Sequence, residues 1–373
     1  MSNLTASTAA LRQEIWQKEL YQDVIDNLYF TKNNMMGTGP NYIVELKDEL
    51  AKEKGDTITF GLTAKLSGSG ITGDNELEGH EESISSYSEQ VAIDQIRNAV
   101  RLTGLLDEQM NAYDMRSDAK DKISNWLQEF IEQQIFLKLG GVNITTLTDI
   151  AGTVVGARAL WSNTPDQVPT ADSGNGYGAR YLCADYTNGL DGLGATELIT
   201  PALISRIKAK AVTASPKVLP LKINGKNYYV LFVHPYQAYD LKNNAVWSQA
   251  QREVGERGNE NPIFSGALGI WDGVIIHEHE YTPWLDVSVV GYNFELASSG
   301  TQAVVDVARA ILCGKQAIGF AKCKTNSAWV EKTFDYDNQT GFSTRLIGGI
   351  QKILFNSKNY GCLQLDTAVT SLV

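Results

Sequence analysis

A long helical signal over residues 105–139 most constrains what this 373-residue chain can fold into. Apolar side chains recur there at the three- and four-residue spacing of one helix face, and Gly140-Gly141 follows as a stop signal. About 33 residues at 1.5 Å each make a rod of roughly 50 Å, much longer than the mean helix of about 11–12 residues. One side of this rod is predicted to be core, namely Ile123, Trp126, Leu127, Phe130, Ile131 and Ile135.

Before the helix, residues 57–96 predict a two-stranded ribbon. Apolar and polar residues alternate from 57 to 66, a glycine-rich acidic stretch follows, and a second extended segment runs from about 83 to 96. Isolated ribbons are marginally stable in water, so the apolar face needs a partner surface. We expect that surface to lie largely on a neighbouring copy of the chain. The face comprises Ile58, Phe60, Leu62, Ala64 and Leu66.

The first 30 or so residues predict an amphipathic helical arm. Apolar residues recur at spacings of three to five, and the turn-rich segment Asn33–Pro40 ends the pattern. A helix at the end of a chain has little to bury against, so it packs either on a neighbour or on its own domain. We expect a contact between subunits. The stripe comprises Leu11, Ile15, Trp16, Leu20, Val24 and Leu28.

The remaining chain alternates short helices, strands and turns, which together indicate an α+β fold. Thr200-Pro201 predicts a helix running to about residue 212, and His234-Pro235 ends a buried strand and begins another short helix. Residues 271–280 predict a single strand, and strands dominate the last 65 or so residues, with a turn at 337–341.

Charge and cysteine content exclude several classes of protein. With 32 basic and 43 acidic residues the net charge is −11, which disfavours a dedicated nucleic-acid reader, although an acidic wall would let enclosed DNA slide. The four cysteines lie far apart and form no CxxC pair, so we expect reduced, cytosolic thiols. No signal peptide and no membrane span are predicted.

The segment His277-Glu278-His279-Glu280 is the one candidate metal cluster. On a strand, His277 and His279 share a face, as two zinc ligands could, with His234 or a carboxylate as the third. The helical i, i+4 spacing of HExxH is missing, and no cysteine accompanies the pair. We therefore favour a surface or interface strand and expect no metal.

Motifs of the common enzyme classes are missing from the sequence. It has no GxSxG elbow, no GxxxxGK[ST] loop and no GxGxxG after a strand. The sequence therefore predicts no catalytic residues and no cofactor. Asp and Glu are plentiful enough that an acidic hydrolase remains an alternative.

The order of arm, ribbon, long helix, glycine-rich middle and strand-rich end resembles the capsid fold of tailed phages, the Hong Kong 97-like fold. The local sequence is similar to one branch of it, typified by phage N-four, over most of the chain. The segments that carry the resemblance are Gly55–Leu66, Gln109–Asp118 with the helix after it, Tyr229–Lys242, Asn261–Gly269 and Arg309–Gly319.

The resemblance implies a division into five parts. These are an N-terminal arm (1–54), an extended β-hairpin loop (55–96), a peripheral domain with the spine helix (97–150), an axial domain (151–300) and peripheral-domain strands (301–373). Some members carry a long charged scaffolding segment at the N-terminus, where this chain has a short arm. A separate scaffolding protein, or none, is therefore expected.

The resemblance also implies a function. It is that of a major capsid protein which assembles through hexamers and pentamers into an icosahedral shell around double-stranded DNA. A virion structural protein outside the shell, such as a tail or decoration protein, remains an alternative. Expected partners are further copies of the chain, a portal, a scaffolding or decoration protein, and DNA held by weak non-specific contacts, with no membrane. The expected location is the virion, after assembly in the host cytoplasm. The predicted subunit-contact residues are Ile58, Phe60, Leu62, Leu66, Leu11, Ile15 and Leu20.

Overall fold

The computed structural model describes ten main stretches of the chain. They are residues 24–48, 55–63, 86–110, 115–141, 180–223, 225–254, 267–285, 305–323, 330–355 and 358–370, with Gly178 and a few positions between 70 and 83. Residues 24–27 are helical. The further α-helices in these stretches are α1 (Tyr29–Lys32), α2 (Leu105–Met110), α3 (Met115–Gly140), α4 (Pro201–Thr213), α5 (Pro235–Asn243) and α6 (Ala245–Val254).

The strands form two large sheets and two small ones. In chain order they are β1 (Met36–Gly37), β2 (Val44–Lys47), β3 (Thr57–Thr63), β4 (Ser86–Ala92), β5 (Asp94–Arg101), β6 (Tyr181–Cys183), β7 (Leu221–Ile223), β8 (Lys226–Val233), β9 (Ala267–Trp271), β10 (Val274–Glu278), β11 (Trp284–Leu285), β12 (Val307–Cys313), β13 (Ile318–Lys322), β14 (Val330–Phe334), β15 (Gln339–Lys352), β16 (Leu354–Phe355), β17 (Lys358–Asn359) and β18 (Cys362–Ala368).

The larger sheet has eight strands. Six follow the order β6-β18-β12-β8-β10-β9, with β11 added to β12 and β7 to β8. The six-stranded sheet follows the order β1-β2-β13-β15-β14, with β5 also paired to the long β15. Strands β3 and β4 form a separate two-stranded sheet, and so do β16 and β17. Since β8 from the predicted axial segment pairs with β12 from the predicted peripheral strands, both segments contribute to one sheet. The domain division itself stays a prediction.

The predicted long helix is present as α3, which has 26 residues and is therefore roughly 39 Å long. The apolar stripe is confirmed, because Ile123, Leu127, Phe130, Ile131 and Ile135 are all buried. The sequence predicts a longer helix, which begins at residue 105 and not at Met115. Residues 105–110 form the separate helix α2, and residues 111–114 lie outside the described stretches.

The eight-stranded sheet is covered on both faces, which explains why β12 and β18 are buried at every position. Side chains alternate between two cores. Phe232 and Ile311 pack on the face toward α3, whereas Leu231 and Leu312 pack with Ile204 of α4 on the opposite face. Strands covered on both faces read as continuous apolar runs, as β8 and β12 do.

A buried ion pair lies at the centre of this sheet. Arg309 and Asp366 are directly opposite each other on β12 and β18, and both side chains have no exposed surface. Two hydrogen bonds join them, from Nε to Oδ1 (2.7 Å) and from Nη2 to Oδ2 (2.8 Å). Arg309 Nη1 also donates to the carbonyl of Gly140 (3.1 Å), and the Tyr181 hydroxyl donates to Asp366 Oδ2 (2.9 Å). The pair therefore joins the C-terminal end of α3 to the sheet.

The ribbon packs at its base on its own chain. Ile58 and Phe60 are 2% and 1% exposed, in one cluster with Ile353 and Tyr360. The Phe60 ring lies over Gly319 so closely that a β-carbon there would be 2.7 Å from Cζ. Their apolar surface is thus already covered within the chain, and the expected contact of this face with a neighbouring copy stays a prediction. Leu62 is half-buried beside the same cluster, and Leu66 lies outside the described residues.

The end of the predicted arm also packs internally. Val24 and Leu28 have no exposed surface and belong to the main core, together with Phe30 and residues of α3. For these two residues the expected contact between subunits is wrong, because the chain's own core buries them. Leu11, Ile15, Trp16 and Leu20 lie outside the described stretches.

We predict that Phe60→Ala lowers the free energy of unfolding of the unassembled chain by about 3–5 kcal/mol, because it leaves a cavity in a packed cluster. Urea denaturation followed by circular dichroism measures the loss. The control is Thr59→Ala on the exposed face of the same strand, which should change stability by less than about 0.5 kcal/mol. A stable Phe60→Ala monomer that fails only to assemble would contradict the observed packing.

We predict that Asp366→Leu alone costs about 3–5 kcal/mol of stability, because it leaves the Arg309 guanidinium buried without its counter-ion. The double variant Arg309→Met/Asp366→Leu should recover a large part of this loss, since apolar residues often replace a buried ion pair without penalty. The same denaturation measurement compares the two. If the double variant is no more stable than the single one, the unpaired charge is not the cause.

Candidate functional site: exposed surfaces and buried histidines

An exposed tyrosine stands at the tip of the β14–β15 hairpin. Asp335, Tyr336 and Asp337 all have left-handed backbones, with φ of 52°, 50° and 67°. Residues other than glycine rarely adopt this region, and three in succession make a strained turn. The turn presents Tyr336 fully exposed. The predicted turn at 337–341 lies two residues too late, because β15 already begins at Gln339.

Helix α2 lies against this hairpin and exposes three large apolar side chains. The backbone N–H of Leu105 donates to the carbonyl of Asn338 (3.0 Å), which ties the helix to the turn. Leu105, Leu106 and Met110 are 57%, 74% and 75% exposed. We call these three residues and Tyr336 the hairpin corner. Large apolar side chains exposed together mark protein–protein contact surfaces, so the hairpin corner is the best candidate for a contact in the described part of the chain.

Strand β14 lies at one edge of the six-stranded sheet. Among the described strands, β15 is its hydrogen-bonded neighbour on one side and no strand lies on the other. Edge strands can pair with another chain, and charged residues limit such pairing. Strand β14 carries the charged residues Glu331 and Lys332, which disfavour non-specific pairing of this edge with strands of other chains.

The residues predicted for subunit contact do not form an exposed surface in the described structure. Ile58 and Phe60 are buried in their own chain and Leu62 is half-buried, whereas Leu66, Leu11, Ile15 and Leu20 lie outside the description. The prediction of one amphipathic helix over residues 105–139 places Leu105, Leu106 and Met110 on that helix, and nothing in it signals that these side chains are exposed.

His277 and His279 lie in an aromatic core. His277 is 1% exposed, and its Nδ1 lies 2.8 Å from the hydroxyl of Tyr29. The ring of His279 stacks on Phe136 with a centroid distance of 4.3 Å. Burial lowers the pKa of each imidazole to about 4, so both are neutral at pH 7. The expectation of a surface or interface strand is therefore corrected for His277, whereas Glu280 is exposed as a surface segment requires.

The strand prediction over residues 271–280 was also incomplete. Asp272 and Gly273, both with positive φ, form a tight turn between β9 and β10. The second strand then pairs in parallel with β8 and places His277 opposite Phe232. His277 and His279 lie on the same side of the chain, as predicted. That side is covered by Tyr29 and Phe136 and does not face solvent.

Metal binding finds no support in the described stretches. No group of three or more His, Cys, Asp or Glu side chains is placed there to hold a metal ion. His234 was the suggested third ligand, but its Nδ1 accepts from the backbone N–H of Tyr236 (3.3 Å) at the start of α5. Its ring stacks on Trp284 (5.5 Å), and burial lowers its pKa to about 4.

All four cysteines are buried free thiols, among which Cys313 and Cys362 face each other across β12 and β18. None of the described helices combines the length and apolar character needed to cross a membrane.

Comparison with known proteins gives a consistent result. The family model described as "Phage capsid protein" matches residues 5–371. The "Major capsid protein" of Pseudomonas phage KPP25 is 29% identical over 371 residues, covering 96% of this chain and 95% of that protein. The capsid of Ralstonia phage GP4 superposes with a TM-score of 0.77 at 25% identity, covering 93% of this chain and 92% of that one.

A more distant structure shows the same fold. The capsid of cyanophage Pam1 has a TM-score of 0.66 at 24% identity and covers 90% of this chain and 91% of its own. The mixed helix-and-strand architecture is thus the Hong Kong 97-like capsid fold predicted from the order of the elements. Because the family model spans nearly the whole sequence, this chain belongs to the phage capsid protein family, whose members are structural proteins of the virion and not enzymes.

Proposed function

We propose that copies of this capsid protein assemble as hexamers and pentamers into an icosahedral shell that encloses double-stranded DNA. The observation that carries the proposal is the match to the capsid family over residues 5–371, together with the likeness in fold to the capsid of Ralstonia phage GP4. Neither the family match nor the likeness in fold supports an acidic hydrolase. Capsid assembly requires surface contacts and no reactive group.

The hairpin corner supports the proposal as a contact with a second copy of the chain. Burying one large apolar side chain is worth roughly 1.5–3 kcal/mol, and this surface presents four. Association also costs several kcal/mol in lost freedom of motion, so one such contact is weak by itself and many together are strong. Weak single contacts allow misplaced subunits to leave a growing shell.

The net charge of −11 supports weak, non-specific contact with the enclosed DNA. An acidic surface repels phosphates, so DNA is held inside by the closed shell and not by tight binding. We also propose a portal and a separate scaffolding or decoration protein as partners, with assembly in the host cytoplasm. These proposals rest on the family resemblance.

Electron microscopy of the purified full chain tests the proposed function directly. We expect the micrographs of the negatively stained protein to show shells, or hexameric and pentameric rings, when the protein concentration is high enough for assembly. A protein that stays a 40.9 kDa monomer under all conditions, with or without a co-expressed scaffolding protein, would overturn the proposal.

We predict that Leu106→Ser combined with Tyr336→Ser lowers the yield of particles at least about 10-fold, because the hairpin corner loses its apolar surface. The stability of the monomer should change by less than about 0.5 kcal/mol, since both side chains are exposed. Sedimentation measures particle yield and thermal unfolding measures stability. Leu106→Met is the matched control and should assemble normally. Normal yield in the double variant would show that the corner is not a contact.

We predict that the unassembled chain binds linear double-stranded DNA more weakly than basic non-specific binders, whose Kd is about 10⁻⁴–10⁻⁶ M at physiological salt. The physical reason is the net negative charge. A mobility-shift titration at several salt concentrations provides the measurement. Micromolar binding that weakens steeply with added salt would instead reveal a cationic DNA-binding surface.

A further inference from the structure

The charged residues of this acidic chain are unevenly distributed. Residues 198–239 contain six Lys or Arg and no Asp or Glu, although the whole chain has a net charge of −11. Residues 66–85, which lie between the ribbon strands β3 and β4 in the sequence, contain five Asp or Glu and no Lys or Arg. We call residues 66–85 the acidic segment. Opposite charges attract at close range, so the two stretches are candidates for a contact with each other.

A groove of about 370 Å³ lies beside helix α4, which belongs to the basic stretch. One wall is the exposed side of α4, and the other comes from β6 and the residues that follow it. Its volume falls in the range of about 300–1,000 Å³ that is usual for binding sites in proteins. We call it the α4 groove. It is lined by Leu182, Tyr186, Arg206, Ala209, Lys210 and Thr213.

Arg206 is an exposed cation in the wall of the α4 groove. Its guanidinium carbon Cζ lies 4.1 Å from the centroid of the Tyr186 ring. This cation–π contact limits the motion of the guanidinium, which lowers the entropy lost when an anion binds. Arg206 makes no hydrogen bond or ion pair with another described residue. Asp185 is engaged within its own turn, where its carboxylate accepts from the backbone N–H groups of Thr187 (2.8 Å) and Asn188 (3.1 Å).

A second cation lies one turn further along the same helix. Arg206 and Lys210 are four residues apart, so their side chains lie on one face of α4 with β-carbons about 6 Å apart. In the acidic segment, Glu76 and Glu78 are exposed and two residues apart. In an extended backbone such side chains lie on one side, about 6.6 Å from each other. The spacing of the two carboxylates therefore matches that of the two cations.

We propose that the α4 groove binds the acidic segment of a second copy of the chain, with Glu76 and Glu78 paired to Arg206 and Lys210. The base of the ribbon is packed on its own chain, whereas these two carboxylates are exposed and accessible to a neighbour. Duplex DNA fits less well as the occupant, because the net charge of the chain repels phosphates. The inference rests on the proposed assembly of many copies and names one of the contacts between them.

A synthetic peptide of the acidic segment tests the groove without any assembly. The receiving protein is the full-length chain with Glu76→Gln and Glu78→Gln, so that its own acidic segments do not compete. Fluorescence anisotropy of the labelled peptide gives the dissociation constant. We expect Arg206→Ala in this protein to weaken binding about 10-fold, because it removes a charge-assisted pair. Lys217→Ala removes an exposed cation outside the groove and is the matched control, with an expected change below about 2-fold.

Two complementary variants test whether the contact joins two copies. Arg206→Glu with Lys210→Glu reverses the charge of the groove, and Glu76→Lys with Glu78→Lys reverses that of the acidic segment. Each variant alone should give at least about 10-fold fewer particles in sedimentation, because like charges then meet. An equal mixture should restore the yield, since each variant then offers the other a groove of opposite charge. Circular dichroism checks folding, and Arg206→Glu alone replaces the double variant if that one is unfolded.

Three results would overturn the proposal. A peptide that does not bind at millimolar concentration, or that binds Arg206→Ala equally well, does not occupy the groove. Failure of the peptide together with Arg206-dependent binding of linear double-stranded DNA would identify phosphate as the ligand. A mixture that stays unassembled, although peptide binding depends on Arg206, would place the acidic segment in the groove of its own chain. A wild-type chain that forms no particles would overturn the proposed function, whereas the peptide measurement still decides whether the groove binds the segment.

Discussion

The buried pair of Arg309 and Asp366 holds strands β12 and β18 in register and ties the C-terminal end of helix α3 to their sheet. Removing two charges from water is costly, and the cost is offset here because all three guanidinium nitrogens of Arg309 donate and both carboxylate oxygens of Asp366 accept. The bidentate geometry fixes β12 against β18, and the bond to Gly140 fixes the end of α3 on the same sheet. Gln364 adds a second bond to this helix end, at the carbonyl of Leu139 (2.8 Å). A slip by one residue would break all of these bonds together.

The register set by this pair determines the two apolar cores. With α3 held at its C-terminal end, its stripe covers one face of the eight-stranded sheet, while α4 and α5 cover the other. The six-stranded sheet then packs on α3 through residues such as Leu346 and Ile350 of β15. Since the sheet is covered on both sides, little of its central surface remains for contact with other molecules. Contacts between copies must therefore use the periphery, where the hairpin corner and the edge strand β14 lie.

Local signals in the sequence predicted the local structure well. The side chain of Thr200 does accept from the backbone N–H of Leu203 (3.3 Å), and Pro235 does begin α5, because caps and prolines act on neighbouring residues. The strict alternation around Phe60 correctly identified a face that is buried, but alternation cannot name what covers it. Gly319 and Tyr360, which do so, come from the far end of the chain. The burial of His277 depends in the same way on Tyr29.

The order of strands in the larger sheet has a consequence for synthesis on the ribosome. Strand β18 (Cys362–Ala368) lies between β6 and β12, so one of the last strands to be made occupies an interior position. Until that segment leaves the exit tunnel, Arg309 lacks its counter-ion and β6 lacks its hydrogen-bonded neighbour. Nascent chains on one polysome therefore cannot present finished surfaces to each other. The topology thus leaves an unpaired edge on β6 and on β12 in every chain that has not yet reached residue 368, and unpaired edges favour aggregation while the chain is incomplete.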